Sequence, residues 1–153
     1  MPVVVETPHS LADLIGREVT SPEWFAVTQD HVRQFAEVIE DRQWIHLDRD
    51  RAQRESPYGT TIAHGFLTLS LLSRFMSQAL QIRSGVRLSV NYGFNRVRFP
   101  SPVRAGSKIR AHFTLRSLKE VSGAFEAVFD ARVETQGNDK PCCVAEWVLR
   151  YYS

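Results

Sequence analysis

The chain has 153 residues, of which 43% are hydrophobic and 24% charged, with a formal net charge of +2. Those values suit one soluble domain with a core of ordinary size, and the charge is too small to point to nucleic acid. There is no run of 18 apolar residues, so no membrane span is expected.

The N-terminus, MPVVVETPHSLADLIG, lacks a basic segment and carries Glu6 early. Positions 1–16 read as an N-terminal extension of a domain spanning 1–153, not as a secretory leader. A short strand is expected near Trp24 to Val27. Thr28 is then a good helix N-cap, with Asp30 in the first turn to suit the helix dipole. Val32, Phe35 and Ile39 recur at spacings of three and four, which predicts an amphipathic helix to about Glu40. Asp41 falls at or just beyond its end.

Residues 41–61, DRQWIHLDRDRAQRESPYGTT, form an irregular charged section. A short helix fits Arg49 to Arg54, and SPYGTT is a turn cluster. Long irregular segments inside a compact domain are usually functional. The stretch IAHGFLTLSLLSRFMSQAL is apolar almost all round, which predicts one long buried helix. Beyond Arg83–Gly85 the pattern becomes β. VRLSVNYGFN alternates at Val86, Leu88 and Val90, and GAFEAVFDARVETQ alternates from Phe125 to Val133. GNDK makes a hairpin turn before the final strand, PCCVAEWVLRYYS. The predicted architecture is α+β, a central helix against an antiparallel sheet. It leaves a sheet edge to cover, and pairing of two copies is the common remedy. The two cysteines, Cys142 and Cys143, are neighbours on a strand and have no third cysteine to pair with. Two reduced thiols in a cytoplasmic protein are expected.

Two stretches can carry chemistry. In DRQWIH a carboxylate, Asp41, stands five residues before an imidazole, His46. Such a pair can hold one water and exchange protons with it; a helix-end aspartate beside a satisfied loop histidine has the same spacing. In AHGFL, Gly65 near a helix start can present backbone N–H groups to a carbonyl oxygen where charge develops. A glycine needed for close packing gives the same letters. Ser73, about two turns further on, is expected as a buried hydroxyl that bonds either its own helix or the polar site. A metal is not expected, because His64 and Asp48 near the pair form no tight ligand spacing. Phe66, Leu69, Tyr92 and Phe94 are candidates for lining an apolar ligand tunnel, with ordinary core the alternative. Most cations are arginines, which suits a phosphate-bearing ligand or a solvated surface.

Together DRQWIH, AHGFLTLSLLS and NYGFNRVRFPSPVRAGSKI resemble the MaoC-like hydratases, the (R)-specific enoyl-CoA hydratases of the hotdog fold, and most closely their small, single-hotdog, NodN-like branch. The likeness runs from about Trp24 to Tyr151. It implies a hotdog domain, an Asp41–His46 catalytic pair, a Gly65 N–H donor to the thioester carbonyl, and Ser73, His64, Phe66 and Tyr92 on the substrate. The implied reaction is hydration of trans-2-enoyl-CoA to (R)-3-hydroxyacyl-CoA. The implied substrates are thioesters of CoA or acyl carrier protein, with no metal or redox cofactor, in a homodimer. Where the family has Asn-Pro, this chain has Gln43 and Trp44, so packing by Trp44 is expected to hold the turn. An acyl-CoA thioesterase, or a non-catalytic acyl-thioester-binding subunit, would use the same scaffold.

Overall fold

A computed structural model describes residues 1–153. The last three strands dominate it. They are β6 (Lys108–Val121), β7 (Ala124–Thr135) and β8 (Cys143–Tyr152). Each alternates inward and outward, as a pleated strand with one covered face must. Ile109, Ala111, Phe113 and Leu115 of β6 are buried, as are Phe129, Ala131 and Val133 of β7 and Ala145, Trp147 and Leu149 of β8. Phe113 sits edge-on to Phe129 and against Trp147, which joins the three strands into one core.

Three more strands complete the main sheet: β2 (Glu18–Thr20), β3 (Phe25–Ala26) and β5 (Leu88–Arg98). The order is β2-β6-β7-β8-β5, with β3 also paired to β6. β5 therefore does not pair with the strand that follows it. The chain crosses the sheet between Phe99 and Ser107 and leaves β5 as the far edge. Breaks in register at Asn91/Gly93 and Phe94/Arg96 bend this edge strand. The alternation at Leu88 and Val90 is real, but both side chains lie exposed, 41% and 40%, opposite Tyr152 and Arg150.

The first helix, α1, is Gln29–Ile39, and Thr28 caps it as expected. The Thr28 hydroxyl accepts from the His31 N–H at 3.1 Å, and the His31 ring accepts from the Thr28 N–H at 3.2 Å. Glu40 then turns into the left-handed region at φ 58° and ends the helix. Two short helices follow, α2 (Trp44–Leu47), which periodicity did not reveal, and α3 (Arg49–Glu55), capped by Asp48.

The hotdog arrangement of helix against antiparallel sheet is present, with a difference. The expected long helix comprises two segments, α4 (Gly65–Ser70) and α5 (Leu72–Ala79), that meet at Leu71, where the backbone stays right-handed (φ −68°, ψ −13°) and the Leu71 N–H still donates to the Leu67 carbonyl. It is also not buried all round. Leu67, Leu72, Phe75 and Ala79 enter the core, whereas Phe66, Ser70, Ser73, Arg74 and Ser77 are exposed. These five follow one another at spacings of three, four or one, so they form a single open stripe.

The N-terminal segment is part of the packing rather than an appendage. β1 (Val3–Val5) pairs in parallel with β4 (Leu80–Ile82), and the 3-10 turn His9–Leu14 buries Leu11 and Leu14. No helix is long and apolar enough to cross a membrane.

Candidate active site

Asp41 and His46 meet where α1 gives way to α2. The left-handed Glu40 reverses the chain and delivers Asp41 to the front of the short helix. The Asp41 carboxylate accepts from the Gln43 backbone N–H at 3.4 Å and from the Gln43 side-chain amide at 3.2 Å. Gln43 thus braces the aspartate directly. Trp44 occupies the first helical position of α2, the place where a proline is also well tolerated. The Arg51 guanidinium lies 4.3 Å over the Trp44 ring and fixes it by stacking. The expectation that packing by Trp44 holds this turn therefore gains a named partner.

His46 is buried. Its Nδ1–H donates to the Ile62 carbonyl at 2.7 Å. A carbonyl can only accept, so the neutral ring keeps its lone pair on Nε2. That Nε2 lies 3.9 Å from the Asp41 carboxylate, too far for a direct bond and within reach of one water that bonds both. Gln29, at the start of α1, holds the His46 backbone carbonyl at 2.7 Å. Burial holds the His46 imidazole below its ordinary pKa, and His64 lowers it further, against upward pulls from the Ile62 bond and Asp41. For Asp41, partial burial pushes the carboxyl up, but the two Gln43 bonds and the neighbouring imidazoles together outweigh it. Its pKa ends below the usual value.

His64, the N-cap residue of α4, completes a cluster that spacing did not reveal. It is buried between Phe35 and His46: its ring centroid lies 5.3 Å from that of Phe35 and 3.7 Å from that of His46, stacked on the latter at 23°. Its Nε2–H donates to the Asp41 backbone carbonyl at 2.9 Å. The expected contact of His64 with substrate is not available to a ring boxed in this way. Asp41, His46 and His64 place one possible ligand atom each within 4.8 Å of one another. The proton on His64 Nε2 is engaged, however. With that proton in place His64 Nε2 has no lone pair to offer, whereas His46 Nε2 and the Asp41 carboxylate do.

Gly65 follows directly and opens α4. Its N–H and that of Phe66 have no acceptor within the chain. Gly65 faces a cleft of about 330 Å³ lined by Tyr58, Ile62, Thr68, Phe99 and Val103 among others. Ile62 joins this cleft to His46. A Cβ on Gly65 would meet the Phe99 ring at 3.0 Å, so any larger residue here requires that ring to shift. The close Phe99 ring and the two unpaired N–H groups occur at the same residue.

The remaining expected residues lie apart from this group within one chain. Ser73 is exposed rather than buried. It lines a separate cavity of about 270 Å³ between α5 and the inner side of β5 and β8, with Met76, Asn91, Trp147 and Tyr151. Phe66 is 65% exposed on the open helix stripe. Leu69 packs partly against the core. Phe94 stacks on the inward-facing Trp147, but Tyr92 lies under the Arg150 guanidinium at 3.6 Å. Arg150 alternates with the inward Leu149 and Tyr151. Tyr92 therefore stands on the other face of the sheet and does not reach Asp41 or His46 of its own chain.

Phe35 is read from sequence only as part of an apolar helix face, and Gln29 and Phe99 carry no sequence reading as site residues. An aromatic on an apolar helix face and a glutamine in a first turn carry no local signal of a site.

Residues 10–137 match the MaoC-like domain family. A 3-hydroxyacyl-thioester dehydratase Z from Mycobacterium tuberculosis is 44% identical over 96% of this chain and 99% of its own. A nodulation protein N from Rhizobium leguminosarum bv. viciae is 41% identical over 91% of this chain and 89% of its own. Among solved structures, an (R)-hydratase from A. caviae involved in PHA biosynthesis superposes with a TM-score of 0.71 at 25% identity, over 88% of this chain and 94% of that one. A match across most of the domain, relatives that align over nearly the whole chain, and a hotdog core bearing the Asp-x4-His turn agree: the chain belongs to the MaoC-like dehydratase family.

Proposed function

We propose that this protein is a hydro-lyase that reversibly adds water across the double bond of a trans-2-enoyl thioester to give the (R)-3-hydroxyacyl thioester. One observation carries the reading. The Ile62 carbonyl fixes the His46 tautomer so that a basic Nε2 lies 3.9 Å from the Asp41 carboxylate, close enough for one water to bond both atoms. The names of the relatives support a thioester substrate and the addition or loss of water.

In the hydration direction a water sits between Asp41 and His46. His46 Nε2 takes one of its protons as the oxygen bonds to C3 of the enoyl group. Asp41 orients the water, and a proton is returned to C2 from the pair, so the elements of one water are added and no electrons are transferred. The thioester oxygen accepts from the Gly65 N–H, which stabilises the enolate-like charge that forms. The thioester of CoA or of acyl carrier protein is then the substrate, and no metal or redox cofactor has a step to perform. The functional unit is a homodimer. This rests on β5, an 11-residue edge strand with Leu88, Val90, Tyr92 and Phe94 exposed, which lacks a neighbour on its outer side.

The test is the loss of enoyl-thioester absorbance with crotonyl-CoA, with Asp41→Asn and His46→Ala run in parallel. The expected result is (R)-3-hydroxybutyryl-CoA with wild type and a fall of ~10²–10⁴-fold with either variant. An Asp41→Asn protein with most of its activity would overturn the mechanism. Release of free CoA from a saturated acyl-CoA would make the protein a thioesterase. Ligand binding without turnover of crotonyl-CoA or a longer enoyl-CoA would make it a binding subunit.

A further inference from the structure

The His64 side chain carries more structure than a helix cap requires. It offers no side-chain hydrogen bond to its own helix. Instead it reaches 23 residues back to the Asp41 carbonyl and lies flat on the His46 ring. Its Nδ1 is buried without a partner, so the single ring proton resides on Nε2, where the carbonyl accepts it. Phe35 of α1 backs the other side of the ring. One side chain thus touches both members of the proposed pair and ties the loop after α1 to the head of α4.

We infer that His64 is a positioning residue with two separable duties: its N–H anchors the Asp41 backbone, and its ring walls one face of His46 from water. This rests on the hydratase reading for its kinetic consequence but not for its geometry. Each duty has its own physical mark. Losing the anchor frees Asp41, and a misplacement on the order of 1 Å costs up to ~100-fold in rate. Losing the wall lets water reach His46 and relieves the burial that depresses its pKa. Asp41 and His64 are the titratable groups acting on His46, and α1 packs the neutral Gln29 and Phe35 against this cluster.

Two substitutions divide the duties. His64→Gln keeps an amide N–H in reach of the Asp41 carbonyl but removes the ring. His64→Phe keeps a ring against His46 but removes the N–H. In the Phe variant kcat for crotonyl-CoA should fall roughly tenfold or more with KM within about twofold, while the His46 ring titration followed by NMR stays low. In the Gln variant most of kcat should return at alkaline pH, while the His46 midpoint rises toward the ordinary imidazole value of about 6.5. Wild-type kcat in the Phe variant, or an unmoved His46 midpoint in the Gln variant, overturns the corresponding duty. Long-range proton–nitrogen spectra of the wild type at pH 8 guard against misfolded variants. They should show His64 as the Nε2–H tautomer and His46 as Nδ1–H, and the reverse for His64 ends the inference. Should no enoyl thioester be hydrated at all, the hydratase reading fails, and the NMR results still decide the role of His64.

Discussion

The Nδ1–H of His46 points at the Ile62 carbonyl, 2.7 Å away and 16 residues along the chain. That single bond decides which ring nitrogen is basic. It also attaches the charged section to the approach to α4, where Ile62 directly precedes the AHG sequence. The Ile62 N–H donates in turn to the Ile45 carbonyl at 3.0 Å, and His64 holds the Asp41 carbonyl, so three contacts join the acid–base pair to the approach to α4.

The pH dependence follows from the directions of the two pKa shifts. Activity needs His46 neutral and Asp41 ionised. Because burial lowers the His46 pKa, turnover should persist below about pH 6.5, where an unburied imidazole is already mostly charged. It should then fall as pH drops through the folded-state value. Stability has the same sign. The unfolded chain takes up the His46 proton near its ordinary value and the folded chain only at lower pH, so stability declines with falling pH across that interval and levels off below it. Asp41, with a lowered pKa, stabilises the fold above its unfolded value, and that contribution is lost under more acid conditions. Denaturation curves from pH 7 to pH 5 for wild type and His46→Gln should differ in slope; identical slopes would remove the burial argument.

Gly65 offers a test of crowding against chemistry. Gly65→Ala places a methyl 3.0 Å from the Phe99 ring. That ring is 41% exposed and ends a flexible side chain, so it can swing aside. The melting temperature should fall by less than about 3 °C, whereas kcat/KM should fall at least ~10-fold because the displaced ring and the methyl obstruct the approach to the N–H. Phe99→Ala in the same background removes the clash. Activity that stays low in the double variant assigns the loss to the Gly65 N–H itself, and full recovery assigns it to Phe99.

Glu40 holds a left-handed backbone, φ 58°, without being glycine. Side chains other than glycine and asparagine pay about 1 kcal/mol there. Glu40→Gly should raise the unfolding free energy by roughly 0.5–1 kcal/mol, since the position is already a helix end. A urea titration measures it, and a lower midpoint would mean that the Glu40 side chain contributes something the backbone conformation hides.

Cys142 and Cys143 are both about 1% exposed, and burial pushes their thiols up to about 11 and about 12. Neither offers a thiolate at neutral pH. An aromatic disulfide reagent at pH 8 should leave the folded protein unlabelled for hours and titrate two thiols once guanidinium is added. Fast labelling of the native protein would show that the β7–β8 region opens locally.

Local patterns sufficed for a large part of this protein. Thr28 announces α1 because a cap is a contact between close neighbours in sequence, and the strands β7 and β8 announce themselves because pleating repeats at every second position. The Asp41-x4-His46 spacing and the glycine of AHG are equally local, and they name the proposed pair and donor. Direction and partnership are not local. Alternation reports that Leu88, Val90 and Tyr92 share a strand, but which face is covered depends on β8, the last strand of the chain, lying beside β5. Apolar letters made α4 and α5 read as one helix buried on every side. The open stripe from Phe66 to Ser77 arises because a single sheet face covers only part of a helix. The tautomer of His46 and the role of His64 likewise rest on the carbonyls of Ile62 and Asp41, each far from its ring along the chain. Only the folded chain brings those acceptors to the rings, because hydrogen-bond direction is set by tertiary geometry and not by the order of the residues.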